Sequence, residues 1–375
     1  MTRTNDQHQP ATPRRRLLEV SGSAAGGVRA HLGECARLLS AEGHDVVVEA
    51  PAAVLTGLDL GAARSEALEV GPAPRPSDAL AVARLRRLGR RADVVHAHGL
   101  RAGSLAALAL GRRRPGRTRL VVTLHNRTVG SRATRAVGER LEALIAARAD
   151  AVLAVSPDIV DTVRERGAAE IALAVIPAPA ARTDGLAPTA SSVESAWSGA
   201  GRRVLTVARL APQKGLDLLL DAAVLLTERG AAPMTWAVAG EGPLRDELET
   251  RIRAEHLPAR LLGRREDVGV LMEAADVVVQ TSLWEGQPLT VQEALRVGAA
   301  VVATDVGGTA VTARGGAVLV EPEAVALADA VAGLLADDAA LTAARCRSSS
   351  AAASLPGAED LAEQLRAVLL PTDPA

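Results

Sequence analysis

Trp284-Glu285-Gly286-Gln287-Pro288-Leu289-Thr290-Val291-Gln292-Glu293-Ala294-Leu295 follows directly on a Val-rich run, Asp276 to Gln280. The run reads as a buried strand and the stretch from Pro288 as a helix, so one short loop joins strand to helix. Pro288 suits the first helical turn, where no amide partner is needed, and the amides after it face whatever lies before the helix. Such a helix start is an anion site, ready for a phosphate. Glu293, a turn or two in, can accept bonds from sugar or ribose hydroxyls, and Glu285 in the loop reaches a second set. Taken alone, the two acids also fit an ordinary capped helix with solvated carboxylates.

The same unit recurs on both sides of this stretch. In the first half, Arg16 to Ser21 reads as a strand, Val28 to Ala41 as a helix and Asp45 to Ala50 as a strand. Asp93 to Ala97, Leu120 to Leu124 and Ala151 to Val155 read as further strands, each followed by a helix-length segment. The second half restarts with strand Val204 to Ala208, helix Leu216 to Arg229, strand Thr235 to Ala239 and helix Leu244 to Glu255. Strands Asp276 to Gln280 and Ala300 to Thr304 and a helix Ala324 to Ala336 complete it. Continuous apolar strands alternating with helices specify α/β architecture, with parallel sheets covered on both faces.

Between Pro177 and Arg202 the chain turns Pro, Ala, Ser, Thr and Gly rich, the composition of a linker. The expected organisation is a tail at 1–13, a doubly wound Rossmann-like domain at 14–180, a linker at 181–202 and a second such domain at 203–350. Residues 351–375 carry a last helix, Glu359 to Leu369, with no strand after it, which is expected to pack back on the first domain. Open parallel sheets bind ligands at the carboxyl ends of their strands, so the motifs should gather there.

Composition narrows the function. The chain has 375 residues, 48% of them hydrophobic and 23% charged, and no apolar run approaches a membrane span. Cys35 and Cys346 lie in opposite halves without metal-ligand spacing, which suggests a reduced, cytoplasmic setting. The basic run Arg14 to Arg16 precedes too few apolar residues for a signal-peptide core. Three tryptophans and no Phe or Tyr leave no row of rings for stacking bases, so nucleic acid is not an expected partner. Residues 1–188 carry a net +8 and residues 189–375 a net −9. If that split is functional, the basic half faces something anionic or a membrane surface. Arg84, Arg86, Arg87, Arg90 and Arg91 read as one arc of a helix whose other side carries Val82, Leu85 and Leu88, a surface suited to anionic lipid or simply to solvent.

Lys214 is the only lysine in the chain. In Arg209-Leu210-Ala211-Pro212-Gln213-Lys214-Gly215, directly after a strand, the forked guanidinium and compact ammonium suit two sides of a diphosphate. Gly240-Glu241-Gly242-Pro243 turns tightly after the next strand. Five of the seven histidines, His31, His44, His96, His98 and His125, fall in the first domain; most read as hydrogen-bonded core residues, but His125 precedes Asn126 and reads as functional. No Asp-x-Asp or His-x-x-x-His motif calls for a metal.

Together these motifs resemble the retaining, nucleotide-sugar-dependent family 4 glycosyltransferases of the GT-B fold. The likeness continues through Gly26-Gly27 with His31, Gly43-His44-Asp45-Val46, Asp93-Val94-Val95-His96-Ala97-His98, Thr123-Leu124-His125 and Ala154-Val155-Ser156. It implies that Arg209 and Lys214 hold a donor diphosphate, Glu293 the ribose and Glu285 the transferred sugar. It also implies that amides around Gln287, Pro288 and Leu289 line sugar and phosphate, that Gly26, Gly27 and Gly242 approach the donor, and that His125 lies near sugar and acceptor. No cofactor is implied beyond the donor, a UDP-sugar or GDP-sugar. The Asn-Gly that the family carries on entering the linker is missing from Ile176-Pro177-Ala178-Pro179-Ala180, and Gln287 replaces an apolar or aromatic residue. Both departures bear on donor and acceptor identity. Two rivals stay open, a sugar-nucleotide epimerase and an inactive nucleotide-sugar-binding scaffold. A dehydrogenase fits poorly, since Gly22 to Gly27 is not G-x-G-x-x-G and no suitable acid ends the second strand.

Overall fold

The computed structural model describes residues 13–24, 26–128, 130–178, 193–197 and 201–371. Of the tail at 1–13 only residue 13 is described, and of the linker at 181–202 only residues 193–197, 201 and 202. The described chain forms two parallel sheets. The first has seven strands in the order β3-β2-β1-β4-β5-β6-β7, and the second six, in the order β10-β9-β8-β11-β12-β13. In the first, β1 (Arg16–Ser21), β2 (Asp45–Ala50), β3 (Arg64–Ala67), β4 (Val94–His98), β5 (Arg119–Leu124), β6 (Ala151–Ala154) and β7 (Ile171–Leu173) alternate with helices. The second is built from β8 (Arg202–Val207), β9 (Met234–Ala239), β10 (Ala259–Gly263), β11 (Val277–Gln280), β12 (Ala300–Thr304) and β13 (Ala317–Val320).

Burial explains the strands. In the second sheet Val277 and Val279 face one helical layer with Leu219, Val331 and the fully buried Trp236, while Val278 faces the other with Leu205, Val291 and Val301. Both faces being covered, the strands are apolar throughout, and each large side chain so buried contributes about 1.5–3 kcal/mol. Each sheet reverses its order once, between β1 and β4 and between β8 and β11. Those reversal points are where such sheets open a crevice for a ligand.

The chain divides into two compact units that interleave in sequence. One runs to Leu153 and adds Val163–Ala172 and the chain from Ala362; the other takes Ala154–Thr162 and Leu173–Leu361. Within the first unit, the final turns of the helix Ala358–Leu369 are tied down by Arg366 Nε to Glu42 at 2.9 Å and by Arg119 Nε to the Val368 carbonyl at 2.8 Å.

The arginine arc needs correction. In the helix Asp78–Gly89, Leu85 is buried as expected, but Arg84 turns inward to bridge Glu49 at 2.9 Å and Glu66 at 2.6 Å. A buried carboxylate on β2 takes it out of the exposed face, leaving Arg86, Arg87, Arg90 and Arg91 exposed. Glu49 itself stands next to the end of β2, yet it is fully buried and held by Arg84. It is not offered to a ribose. No helix among the described residues is long and apolar enough to cross a membrane.

Candidate active site

In the second unit the loops that leave β8, β9, β11 and β12 carry nearly all the motif residues, and they pack backbone against backbone. A Cβ on Gly240 would lie 1.9 Å from the Ala208 carbonyl oxygen, and one on Gly242 2.2 Å from that of Leu210. One on Gly215 would lie 2.1 Å from the Thr281 oxygen, and one on Gly308 1.9 Å from that of Gly286. Real Cβ atoms do not come so close, so glycine is the only residue these junctions accept. That is the physical content of the Gly-x-Gly turn at 240–242.

The approach fixes Lys214. The Leu283 amide donates to the Gln213 carbonyl at 2.8 Å, the Gln213 side chain donates to the Trp284 carbonyl at 2.9 Å, and the Thr281 hydroxyl donates to the Lys214 carbonyl at 2.8 Å. Lys214 Nζ then lies 2.5 Å from Glu285 Oε1, which also accepts from the Ser282 hydroxyl at 2.5 Å. The structure thus joins the ammonium assigned to the diphosphate and the carboxylate assigned to the sugar in one ion pair. Glu285 is 8% exposed, and these partners offset the cost of burying a polar group there. Arg209, on the same loop, is exposed, and among the described residues its guanidinium forms no ion pair.

Helix Leu289–Arg296 starts one residue later than the sequence suggested, with Pro288 as its N-cap and no side chain capping it. The amides of Val291 and Gln292 donate to the Pro288 carbonyl, and those of the first turn ahead of them have no partner within the helix. Glu293, the fifth residue of this helix, is half-buried, and burial raises its carboxyl above the ordinary value, opposed by Arg296.

Gln287 has a different task from reading a sugar with its side chain. Its amide group donates to the Ala174 carbonyl and accepts from the Ile176 amide at 3.3 Å. Gln292 repeats the pattern one step on, accepting from the Ala178 amide at 2.9 Å and donating to the Ile176 carbonyl at 2.8 Å. Arg296 adds a bond to the Ala178 carbonyl at 2.7 Å. Three side chains thus serve the extended segment 174–178 as a neighbouring strand would. Asp158 makes a further tie, accepting from Trp284 Nε1 at 3.0 Å and from Ser156.

The first unit holds the other predicted residues. Gly26, with φ 54, is the N-cap of helix Gly27–Ala41. His125 is buried immediately after β5 in a group that the sequence did not reveal. Glu19 of β1 is fully buried and meets His98 Nε2 at 2.7 Å and His96 Nδ1 at 3.0 Å. His98 Nδ1 meets His125 Nε2 at 3.3 Å, His96 Nε2 meets Thr123 Oγ1 at 2.8 Å, and His31 Nε2 lies 3.5 Å from Cys35 Sγ. The rings of His31 and His125 pack edge to face at 5.4 Å. His44 is buried apart from these, accepting from the Arg15 amide. The ligand atoms of His31, His98 and His125, and those of Cys35, His96 and His98, lie within 4.8 Å of one another, the spacing a metal ion requires. The short contacts of His98 already engage both of its ring nitrogens.

Burial alone would raise the Glu19 carboxyl, but His96 and His98 overcome it and hold it at about 2. Burial, seconded by neighbouring imidazoles, lowers His31, His98 and His125. Groups whose folded value is depressed stabilise the fold above their unfolded value and lose that contribution as pH falls. The protein should therefore lose stability in acid from about pH 6.5 downward, at up to about 1.4 kcal/mol per histidine per pH unit, with Glu19 adding to the loss below about pH 4.5. Urea unfolding at pH 7.5, 6.5 and 5.5 checks this, and His31→Leu should flatten the slope; a stability unchanged between pH 7.5 and 5.5 would contradict the buried neutral histidines.

Two family models match: "Glycosyl transferase 4-like domain" over residues 26–179 and "Glycosyl transferases group 1" over residues 201–337. The chain is 33% identical over 163 residues to the alpha-D-kanosaminyltransferase of Streptomyces kanamyceticus, covering 42% of this chain and 41% of that protein. It is 34% identical over 106 residues to an Escherichia coli galactosyltransferase, covering 27% of each. The matched part thus spans about a quarter to two fifths of these relatives' length. Sucrose-phosphate synthase from Thermosynechococcus elongatus superposes with a TM-score of 0.74 at 20% identity, covering 94% of this chain and 97% of the other. Anabaena Alr3699/HepE, solved in complex with UDP-glucose, superposes at 0.72 and 22% identity, covering 94% and 98%. Both likenesses establish the two-domain GT-B fold.

Proposed function

The chain belongs to the group 1 glycosyltransferases, and from that premise we propose that it moves a hexosyl group from a nucleoside diphosphate sugar to an acceptor hydroxyl, with retention at the anomeric carbon and no metal ion. The observation that carries this reading is the Lys214–Glu285 pair at the β8/β11 reversal point, with Arg209 on the same loop after β8 as Lys214. Breaking the anomeric bond leaves positive charge on the sugar and negative charge on the diphosphate. Lys214, Arg209 and the amides at the Pro288 helix start interact more strongly as that charge develops, which is what lowers a barrier. Glu285, anchored by Ser282, accepts from sugar hydroxyls. Glu293, whose burial favours the neutral acid, gains donors from a ribose diol, and those donors favour its charged form. The acceptor oxygen forms the new bond to the anomeric carbon, its proton passes to the departing phosphate on the same face, and no covalent enzyme adduct forms.

HepE binds UDP-glucose, and the E. coli relative is named for UDP-Gal and a diphosphoundecaprenol-linked acceptor. A Campylobacter jejuni relative is likewise named for a PP-undecaprenol acceptor. These names support a UDP-sugar donor and a lipid-linked acceptor in cell-envelope or polysaccharide synthesis. The net positive first half of the chain is consistent with such an acceptor at the cytoplasmic face of a membrane.

Calorimetry with UDP, GDP, ADP and their sugar conjugates tests the donor site. One base, expected to be uracil, should bind well and lose affinity in Lys214→Ala. If no nucleotide binds, the Arg209 and Lys214 assignment is wrong. Isomerised donor sugar without any acceptor would select the epimerase reading instead.

A further inference from the structure

We propose that Glu19 is a positioning residue that, through His98, fixes His125 as the tautomer with its proton on Nε2 and its lone pair on Nδ1. This rests on the reading of His125 as the residue facing sugar and acceptor. The arrangement follows from register and from what each group can donate. Glu19 pairs with His96 across β1 and β4, and His98 lies two residues further along the same face, so one carboxylate serves both rings. An ionised carboxylate only accepts. The 2.7 Å contact therefore places a proton on His98 Nε2. His98, buried and neutral, is left with a bare Nδ1, and that atom lies 3.3 Å from His125 Nε2. Two bare nitrogens do not bond, so His125 carries its proton on Nε2 and presents Nδ1 as an acceptor on the far side of its ring. A substrate hydroxyl is the kind of donor Nδ1 then takes, and the proton of that hydroxyl is held by a bare nitrogen.

A purely structural network would stabilise the fold without touching turnover, and the two roles separate by experiment. Long-range proton–nitrogen correlation spectra of the full chain, labelled with nitrogen-15 histidine and assigned by single histidine substitutions, read the tautomers directly. At pH 7.5 His98 and His125 should both be Nε2–H. Glu19→Leu should mix the His98 tautomers and lower kcat by about tenfold or more, with donor KM and nucleotide affinity unchanged. Glu19→Gln, which keeps an acceptor oxygen, should restore most of the lost kcat. His125 observed as Nδ1–H in the wild type, or stoichiometric metal on these rings in the purified protein, overturns the assignment. Tautomers as stated but with kcat unmoved in Glu19→Leu overturn the positioning role. The wild-type spectrum decides the tautomers even if Glu19→Leu does not fold or no donor is turned over, so failure of the transferase reading is seen separately.

Discussion

Lys214→Ala should lower kcat/KM for sugar transfer by about 10²- to 10³-fold, the loss usual for a group that meets charge developing in the transition state. Two effects combine. The leaving diphosphate loses a cation, and Glu285, 8% exposed, loses the counter-charge 2.5 Å away. Breaking a buried pair from one side costs about 3–5 kcal/mol, and the quarter-exposed ammonium places this pair below that range. Lys214→Ala should therefore also lower Tm. Arg209→Ala should weaken nucleotide binding without lowering Tm, because among the described residues Arg209 pairs with no acid. A double-mutant cycle of Lys214→Ala with Glu285→Gln separates the two effects, since neutralising Glu285 should restore Tm but not activity. Unchanged transfer in Lys214→Ala would remove the diphosphate assignment altogether.

The second large effect is steric. Gly240→Ala should destabilise by about 3 kcal/mol, because the new methyl would sit 1.9 Å from the Ala208 oxygen at a φ of +147. That corresponds to a fall in Tm of about 6–12 °C. Gly308→Ala tests the clash alone, since its φ of −100 suits alanine while its Cβ would lie 1.9 Å from the Gly286 oxygen. Gly333→Ala is the opposing case. It lies within the helix Ala324–Ala336 with nothing within 4 Å of its Cβ, so the same substitution should stabilise by about 0.5–1 kcal/mol. Thermal unfolding of the three variants checks sign and size together; a stable Gly240→Ala would mean that the loops do not abut as described.

The sheets were legible at their centres and not at their rims. The sequence reading found β1, β2, β4, β5, β6, β8, β9, β11 and β12, each marked by an apolar run buried on two faces. The strands it missed, β3, β7, β10 and β13, are the four edges. Arg64–Ala67 is exposed at every residue and Ile171–Leu173 is only three residues long, so neither carries a pattern that burial would write. At the donor-side loops the lone lysine and the spaced glutamates pointed to the pair that the fold brings together. The bonds of the Gln287 side chain were not legible because its partners lie more than a hundred residues away. The Glu19 network was missed because it gathers β1, β4 and the end of β5. A visible signal did exist: a carboxylate midway through Leu17-Leu18-Glu19-Val20, where a buried strand has no other use for one.

The hold on residues 174–178 is blind to side chains. On this segment Gln287, Gln292 and Arg296 bond peptide groups, taking the amides of residues 176 and 178 and the carbonyls of 174, 176 and 178. Pro177 stands between the two amides that must be present, at a place where a missing N–H goes unnoticed. Hydrogen bonding thus asks of the segment only that positions 176 and 178 keep their hydrogens; Ala174, Ile176 and Ala178 are buried, so packing sets the size of those side chains. Alanine at 178, where the family writes asparagine, leaves the grip intact.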